Sequence, residues 1–440
     1  MFTYLKHLTW KASLLTTAIS LLAVTIAMAA SGDLDTTFDS DGLVNTNIIA
    51  ANPMRTDYAQ GIALQPDGKI IAAGFSAGLA IMIQDFAVIR YNTDGSLDTT
   101  FSGDGKLLTN FGGRDEARGV AVQSNGKIVV AGMQCNSGLC DVALARYNPG
   151  GALDTTFSGD GKQTTDFGTD TNWASGLAIQ SNGRIVVSGF VLKLTGPDFA
   201  VYRYLSNGSL DISFGGDGKV GIGFGAWQAD ESADLAIQTD GKIVIAGETF
   251  HDFTNHNFAI ARLNANGTLD NTFSGDGKLV TNMGADDHAL SLALQPDGKI
   301  LLAGYSCDPN GQNCLFALVR YNTNGSLDTT FNGTGRKRFR VMAVIDSYAS
   351  DVIVQPDGKI VVLGWTYDGV ASDFALVRLN SDGSFDTTFS GDGKVIVDFG
   401  DGQAYGRALA LQPLDGKYVL CGAAVVDTPS YDFACARVLP

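Results

Sequence analysis

Three short phrases return along this chain at one spacing, and that period constrains the fold more than any other property of the sequence. The first, Gly-x-Leu/Phe-Asp-x-x-Phe, places its phenylalanine at Phe38, Phe101, Phe157, Phe214, Phe273, Phe331 and Phe389. The second opens with a glutamine ahead of a tight turn and Gly-Lys/Arg, at Gln65, Gln123, Gln180, Gln238, Gln295, Gln355 and Gln412. The third ends in an arginine, at Arg90, Arg146, Arg203, Arg262, Arg320, Arg378 and Arg437, spaced 56 to 59 residues apart. Each marker counts seven units.

One unit shows what the repeat builds. Leu290 to Gln295 is a short apolar strand, and Pro296-Asp297-Gly298 supplies a turn in which glycine takes positive φ. Lys299 to Gly304 is the return strand, Leu315 to Tyr321 a third, and Asn324-Gly325 leads to a fourth near Arg336 to Arg340. Four antiparallel strands per unit make a propeller blade. The second strands, such as Ile128-Val129-Val130-Ala131 and Ile185-Val186-Val187, are apolar without alternation, which requires a sheet covered on both faces. The chain opens after Ser31 with the last quarter of a unit, and that quarter is missing after Arg437. The expectation is an all-β, seven-bladed β-propeller whose N-terminal strand completes the C-terminal blade and closes the ring, one domain over residues 30–440.

Ahead of it, Lys6, His7 and Lys11, an apolar run from Leu14 to Ile26 and Ala27-Met28-Ala29 predict a signal peptide over residues 1–29. Its loss would take the formal charge from −16 to −18, because Lys6 and Lys11 leave with it. So acidic a surface repels phosphate backbones and anionic lipid, which argues against nucleic-acid or membrane-surface partners. No other segment is long and apolar enough to span a bilayer, so the expectation is a secreted, periplasmic or surface-held monomer. The six cysteines form three close pairs, Cys135 with Cys140, Cys307 with Cys314 and Cys421 with Cys435, each within one unit, and export makes disulfides the natural reading.

The phrases Leu-Asp-Thr-Thr-Phe-Ser-Gly-Asp-Gly-Lys, Gln-Pro-Asp-Gly-Lys-Ile and Asp-Phe-Ala-x-x-Arg-Tyr resemble the delta-60 repeat of bacterial exported proteins over nearly all of residues 31–440. The resemblance implies a β-propeller of bacterial origin and carries no activity with it. Ser206, Arg184, Thr334 and the extra Leu414 depart from the repeat without disturbing its pattern.

The repeated aspartates Asp35, Asp98, Asp154, Asp211, Asp270, Asp328 and Asp386 and the repeated arginines suggest acid–base chemistry. Seven copies around a ring instead point to a structural pair, since an active site needs one asymmetric constellation. The turn Asn92-Thr93-Asp94-Gly95-Ser96-Leu97-Asp98 has the oxygen-rich look of a calcium loop. Most copies lose its carboxylates, so calcium is a minor alternative and no other cofactor is expected.

Function is expected where the units differ. Seven and eight positions before each Gln lie Tyr58, Glu116, Trp173, Glu231, His288, Tyr348 and Tyr405, and Asp57, Asp115, Asn172, Asp230, Asp287, Ser347 and Ala404. If the first strands line a central channel, these make an aromatic and acidic ring at its mouth, suited to sugars or cations. Among the second-to-third loops, one carries Met82, one His251 and His256, and one Trp365 and Tyr367. A metal site is not expected, and no nucleophile elbow or phosphate loop is present. The expectation is a non-catalytic scaffold that binds a protein or carbohydrate partner through its loop face; the alternatives are a glycan-active enzyme and a calcium-binding propeller.

Overall fold

The computed structural model describes residues 29–440 except 50–54, 79–83, 169–170, 226–227, 252–254, 285, 343–344, 401 and 427–429. The expected leader therefore lies outside the described residues but for Ala29, as do Met82 and the His251 side chain. The described residues form 28 strands and no helix. Five sheets are four-stranded and antiparallel; a sixth joins two such units through a single parallel bridge between Gln84 and Arg114.

In the unit of Asp286–Leu294, Ile300–Cys307, Leu315–Tyr321 and Arg336–Phe339, the strands pair in chain order. The first hairpin closes where Gln295 N donates to Lys299 O at 2.9 Å, and Gly298 holds φ +82° there. The second strand passes so near the first that a Cβ on Gly304 would lie 1.8 Å from His288 O, so this position admits only glycine. Opposite it the first strand carries a bulge, between Ala289 and Ser291.

The core lies between successive units rather than within one. Val129, Ala131, Leu144 and Phe157 pack against Ile185, Val187, Ala200 and Tyr202 of the next unit. Sheets covered on both faces explain why the second strands read as unbroken apolar runs. Burying each repeated phenylalanine contributes about 2–3 kcal/mol.

A polar pin crosses each of these seams. Arg146 Nε donates to Asp154 Oδ2 at 2.6 Å, its guanidinium lies 4.7 Å from the centre of the Phe157 ring, and it donates again to Ser206 O of the next unit. Lys127 reaches the same Asp154 oxygen at 2.7 Å. The arginine–aspartate pair recurs in every unit, from Arg90 with Asp98 to Arg378 with Asp386. Burial works against ionising these acids, but hydrogen bonds from the lysine and a threonine, with the arginine charge, hold them low, Ser213 and Arg184 serving Asp211 instead; Asp35 falls to about 2.

Asp35 belongs to the pin that joins the two ends of the chain. Arg437 Nε donates to it at 2.6 Å, and strand Leu43–Thr46 pairs antiparallel with Asp432–Val438, Leu43 opposite Ala436. Beyond that junction Tyr91 donates its hydroxyl to Thr46 at 2.8 Å, and Ile70, Ala72 and Ile89 share a core with Val419, Cys421 and Phe433. All three expected cysteine pairs are disulfides.

Candidate functional site

The first strands Thr56–Leu64, Arg114–Val122, Asn172–Ile179, Asp230–Ile237, Asp286–Leu294, Asp346–Val354 and Ala404–Leu411 all contribute to one cavity of about 240 Å³, reached by Gln60, Arg118, Ser175, Ala233, Leu290, Ser350 and Arg407. A larger cleft of about 650 Å³ opens between hairpin turns near Arg184 and Arg203. Both of those guanidinium groups are committed to Asp211, so the smaller, functionally asymmetric cavity is the candidate site.

Strand alternation splits the expected ring in two. Each first strand begins several residues earlier than its apolar run suggests, so neighbouring positions face opposite ways. Asp57, Asp115, Asp230 and Asp287 do not line the mouth: they are fully buried. Each accepts the backbone N–H of the incoming loop, from Ile48 at 2.8 Å, Phe111 at 2.6 Å, Phe224 at 2.8 Å and Met283 at 2.6 Å. Burial raises all four carboxyls, Asp115 to about 6. They hold the loop entering the strand.

The alternate positions come together. Tyr58 stacks on Phe75 with ring centres 5.4 Å apart, Tyr348 on Trp365 at 4.1 Å and His288 on Tyr305 at 4.6 Å, each across directly paired residues of the first and second strands. Tyr431 touches both Tyr58 and Tyr405, Trp365 touches Tyr405, and Tyr305 touches Tyr348. The rings form an unbroken belt from Phe75 to His288. Trp173 stands apart, against Phe190 at 4.4 Å and beneath the Arg118 guanidinium at 5.1 Å. Glu116 is covered by its pairs with Arg114 and Arg118, and Glu231 lies open opposite Glu248. Although its side chain is open on one side, the protein packed around the Glu231 carboxyl raises it, and the neighbouring Glu248 adds to the shift.

Arg407 makes no hydrogen bond or ion pair with the described residues, and its Nε is buried without a partner. Burial, and further Arg118, lowers its pKa, while Tyr58 and Tyr405 oppose that shift. Deeper in, Ser291 Oγ lies 2.8 Å from Asp351 Oδ1 and 3.2 Å from Asp234 Oδ2. The carboxylates also accept backbone N–H groups of Leu409 at 2.7 Å and Leu292 at 3.0 Å, crossing to the next first strand each time. On the rim, His288 Nδ1 is 2.6 Å from Glu248 Oε2, and Asp286 lies between His288 and His256.

Arg118, Arg407, Asp234, Asp351, Glu248 and Asp286 escape the reading by sequence. The signal for four of them lies in the columns four and five positions before each Gln, where Gly61, Gly119 and Gly176 give way to Asp234, Ser291, Asp351 and Ala408 and where Arg118 and Arg407 replace small or neutral residues. The calcium-like turn is spent on itself: Asp94 Oδ1 accepts Ser96 N at 3.0 Å, and Asp98 serves Arg90.

Six segments, residues 65–101, 123–157, 180–214, 238–273, 295–331 and 355–389, match the family model described as a domain of unknown function (DUF5122) beta-propeller. Each match runs from the marker glutamine to the marker phenylalanine, and the six repeats support a β-propeller repeat family. The stretch after Gln412 finds its phenylalanine at Phe38, across the chain junction. No curated protein matches the sequence. Among solved structures, a polysaccharide lyase of family PL25, an ulvan lyase bound to -[GlcA(1-4)Rha3S]-, superposes with a TM-score of 0.52 at 11% identity, covering 92% of this chain and 94% of that one. An α-L-arabinanase of Penicillium chrysogenum with arabinobiose gives a TM-score of 0.46 at 10% identity, covering 93% and 98%. A protein of unknown function from Dyadobacter fermentans gives 0.43 at 10%, covering 90% and 99%. At such identities the likeness to the lyase concerns the fold alone.

Proposed function

We propose that this chain is an exported propeller of seven blades, closed by its N-terminal strand, that binds an acidic saccharide at the mouth of its central cavity. The pairing of Leu43–Thr46 with Asp432–Val438 and the pin from Arg437 to Asp35 support closure, and the three disulfides support an oxidising, extracytoplasmic setting. The closer assignment to the delta-60 repeat is part of the same reading and rests on its motifs.

Arg407 carries the functional part. A half-buried guanidinium whose Nε is enclosed without a partner, beside a second arginine, is stabilised by an anion placed between them. The aromatic belt next to it offers faces on which sugar rings stack, and partly buried serines and Gln60 offer hydrogen bonds. A carboxylated or sulfated sugar satisfies both demands; the lyase that shares the fold is bound to a glucuronate-containing saccharide. Because the net charge of −16 repels such ligands at long range, recognition rests on these local contacts. Calorimetric titration with polyuronate and sulfated oligosaccharides, beside neutral ones, tests the reading. Acidic chains are expected to bind, and Arg407→Gln to weaken them about tenfold or more, the value of a charged hydrogen bond. Equal binding of neutral chains, or indifference to the substitution, overturns it.

A glycan-active enzyme is the second reading, favoured by Glu231 and Glu248. They face each other across paired strands, and the raised carboxyl of Glu231 suits a proton donor. Cleavage of a bound polysaccharide that is abolished by Glu231→Gln supports it; an intact polymer after prolonged incubation counts against it.

A further inference from the structure

We propose that His256, Asp286 and His288 bind one divalent transition-metal ion, with zinc the best match, on the rim of the cavity. The three side chains arrive from two strands of adjoining units. Asp286 and His288 are two positions apart in Asp286–Leu294 and so share a face, and His256 lies near the start of Asn255–Leu263. Their donor atoms all lie within 4.8 Å of one another. His256 Nδ1 stands 3.0 Å from Asp286 Oδ1, and His288 Nε2 stands 3.3 Å from Asp286 Oδ2. Bonds of about 2.0–2.1 Å from nitrogen and oxygen to tetrahedral zinc put neighbouring ligand atoms roughly 3.3 Å apart, and both nitrogens already stand that near the carboxylate, each beside a different oxygen.

Two further contacts orient the ligands as a metal site requires. Glu248 Oε2 lies 2.6 Å from His288 Nδ1, which fixes the proton there and leaves Nε2 to the ion, an arrangement of carboxylate, histidine and metal. The backbone N–H of His256 donates to Asp286 Oδ1 at 2.8 Å and pins the carboxylate between the imidazoles. All three ligands are half-buried, so the fourth position opens to solvent. His288 also stacks on Tyr305, which sets that open position beside the aromatic belt, where an oxygen of a bound molecule would complete the coordination. Two nitrogens and an oxygen suit zinc, and the surroundings implied by three disulfides do not keep iron ferrous.

The full mature chain, stripped with a chelator, is titrated with Zn²⁺ by calorimetry and with Co²⁺ followed by its visible spectrum. One equivalent of each is expected, with the intense absorption of low-coordinate cobalt. His256→Ala and His288→Ala should each abolish stoichiometric uptake, and Glu248→Gln, which touches no ion, should weaken it about 10- to 100-fold. Near-ultraviolet circular dichroism checks that the variants fold, and Asp286→Asn, which keeps the side-chain shape, carries the test if a histidine variant does not. Absence of stoichiometric uptake, or uptake unchanged in the folded variants, overturns the proposal. Saccharide binding is measured on the stripped chain, so either proposal fails without the other.

Discussion

Ser291 has one hydroxyl proton and two carboxyl neighbours, so it donates to only one of Asp351 and Asp234; the other contact is a hydrogen bond only if that carboxyl is protonated and donates to Ser291 Oγ. Burial, reinforced at Asp351 by the charge of Asp234, raises Asp351 from 3.8 to about 7 and Asp234 to about 6. At 1.36 kcal/mol per pKa unit, ionising Asp351 above pH 7 costs the native state on the order of 4 kcal/mol. The native state therefore binds more protons than the unfolded chain between the unfolded value of 3.8 and about 7. Stability falls as pH rises through that window and levels off above it. Asp351→Asn keeps an acceptor for Leu409 and gives Ser291 a permanent donor, at the loss of the acceptor for Val352. Less the roughly 1 kcal/mol or more lost with the Val352 acceptor, the variant is expected to exceed the parent by about 1–3 kcal/mol at mildly alkaline pH and to fall below it near the acid end of the window. Urea midpoints over a pH series measure both curves. A parent that gains stability from this pair as pH rises, or an asparagine variant weaker under alkaline conditions, refutes the reasoning.

The pins give the opposite limb: Asp35, Asp270 and Asp328 are held near 2, so their contribution is present above 3.8 and lost as pH falls towards 2. Together the two limbs meet close to the unfolded value of 3.8 and place the stability maximum at about pH 4, which thermal melts across pH would locate. Asp154→Asn leaves the buried Arg146 without its counter-charge and should cost about 3–5 kcal/mol, read from urea midpoints. Replacing Cys421 and Cys435 together by alanine opens a bridge spanning 14 residues and should cost about 3 kcal/mol, a difference that closes when parent and variant are both measured under reductant.

Repetition made the fold legible and hid much of the site. The strand Leu315–Tyr321 has the limits read from the sequence, because its apolar run and the turn after it both mark the boundary. The strand Asp286–Leu294 starts four residues before its apolar run, because polar residues that pair with the next strand extend it. That extension sends Asp287 into the interior and leaves His288 at the mouth. Arg407 was hidden for another reason: it stands in a column of unlike residues, and only the convergence of seven first strands shows that the column shares one cavity. The tie between Glu248 and His288 joins residues 40 apart across units, a distance at which no local pattern operates.

The N-terminal strand also sets a timetable. Asp35 meets Arg437 across 402 positions of sequence, so the first residues of the domain stay idle until the last have been made. Until the two strands then meet, Asp432–Val438 presents an open edge on which a strand from another molecule would register as well as the chain's own. Completion is a search over the longest loop the chain possesses, slow beside the hairpins that assemble locally. A molecule finished in this way holds its beginning and its end in one sheet, and losing either leaves the other without a partner.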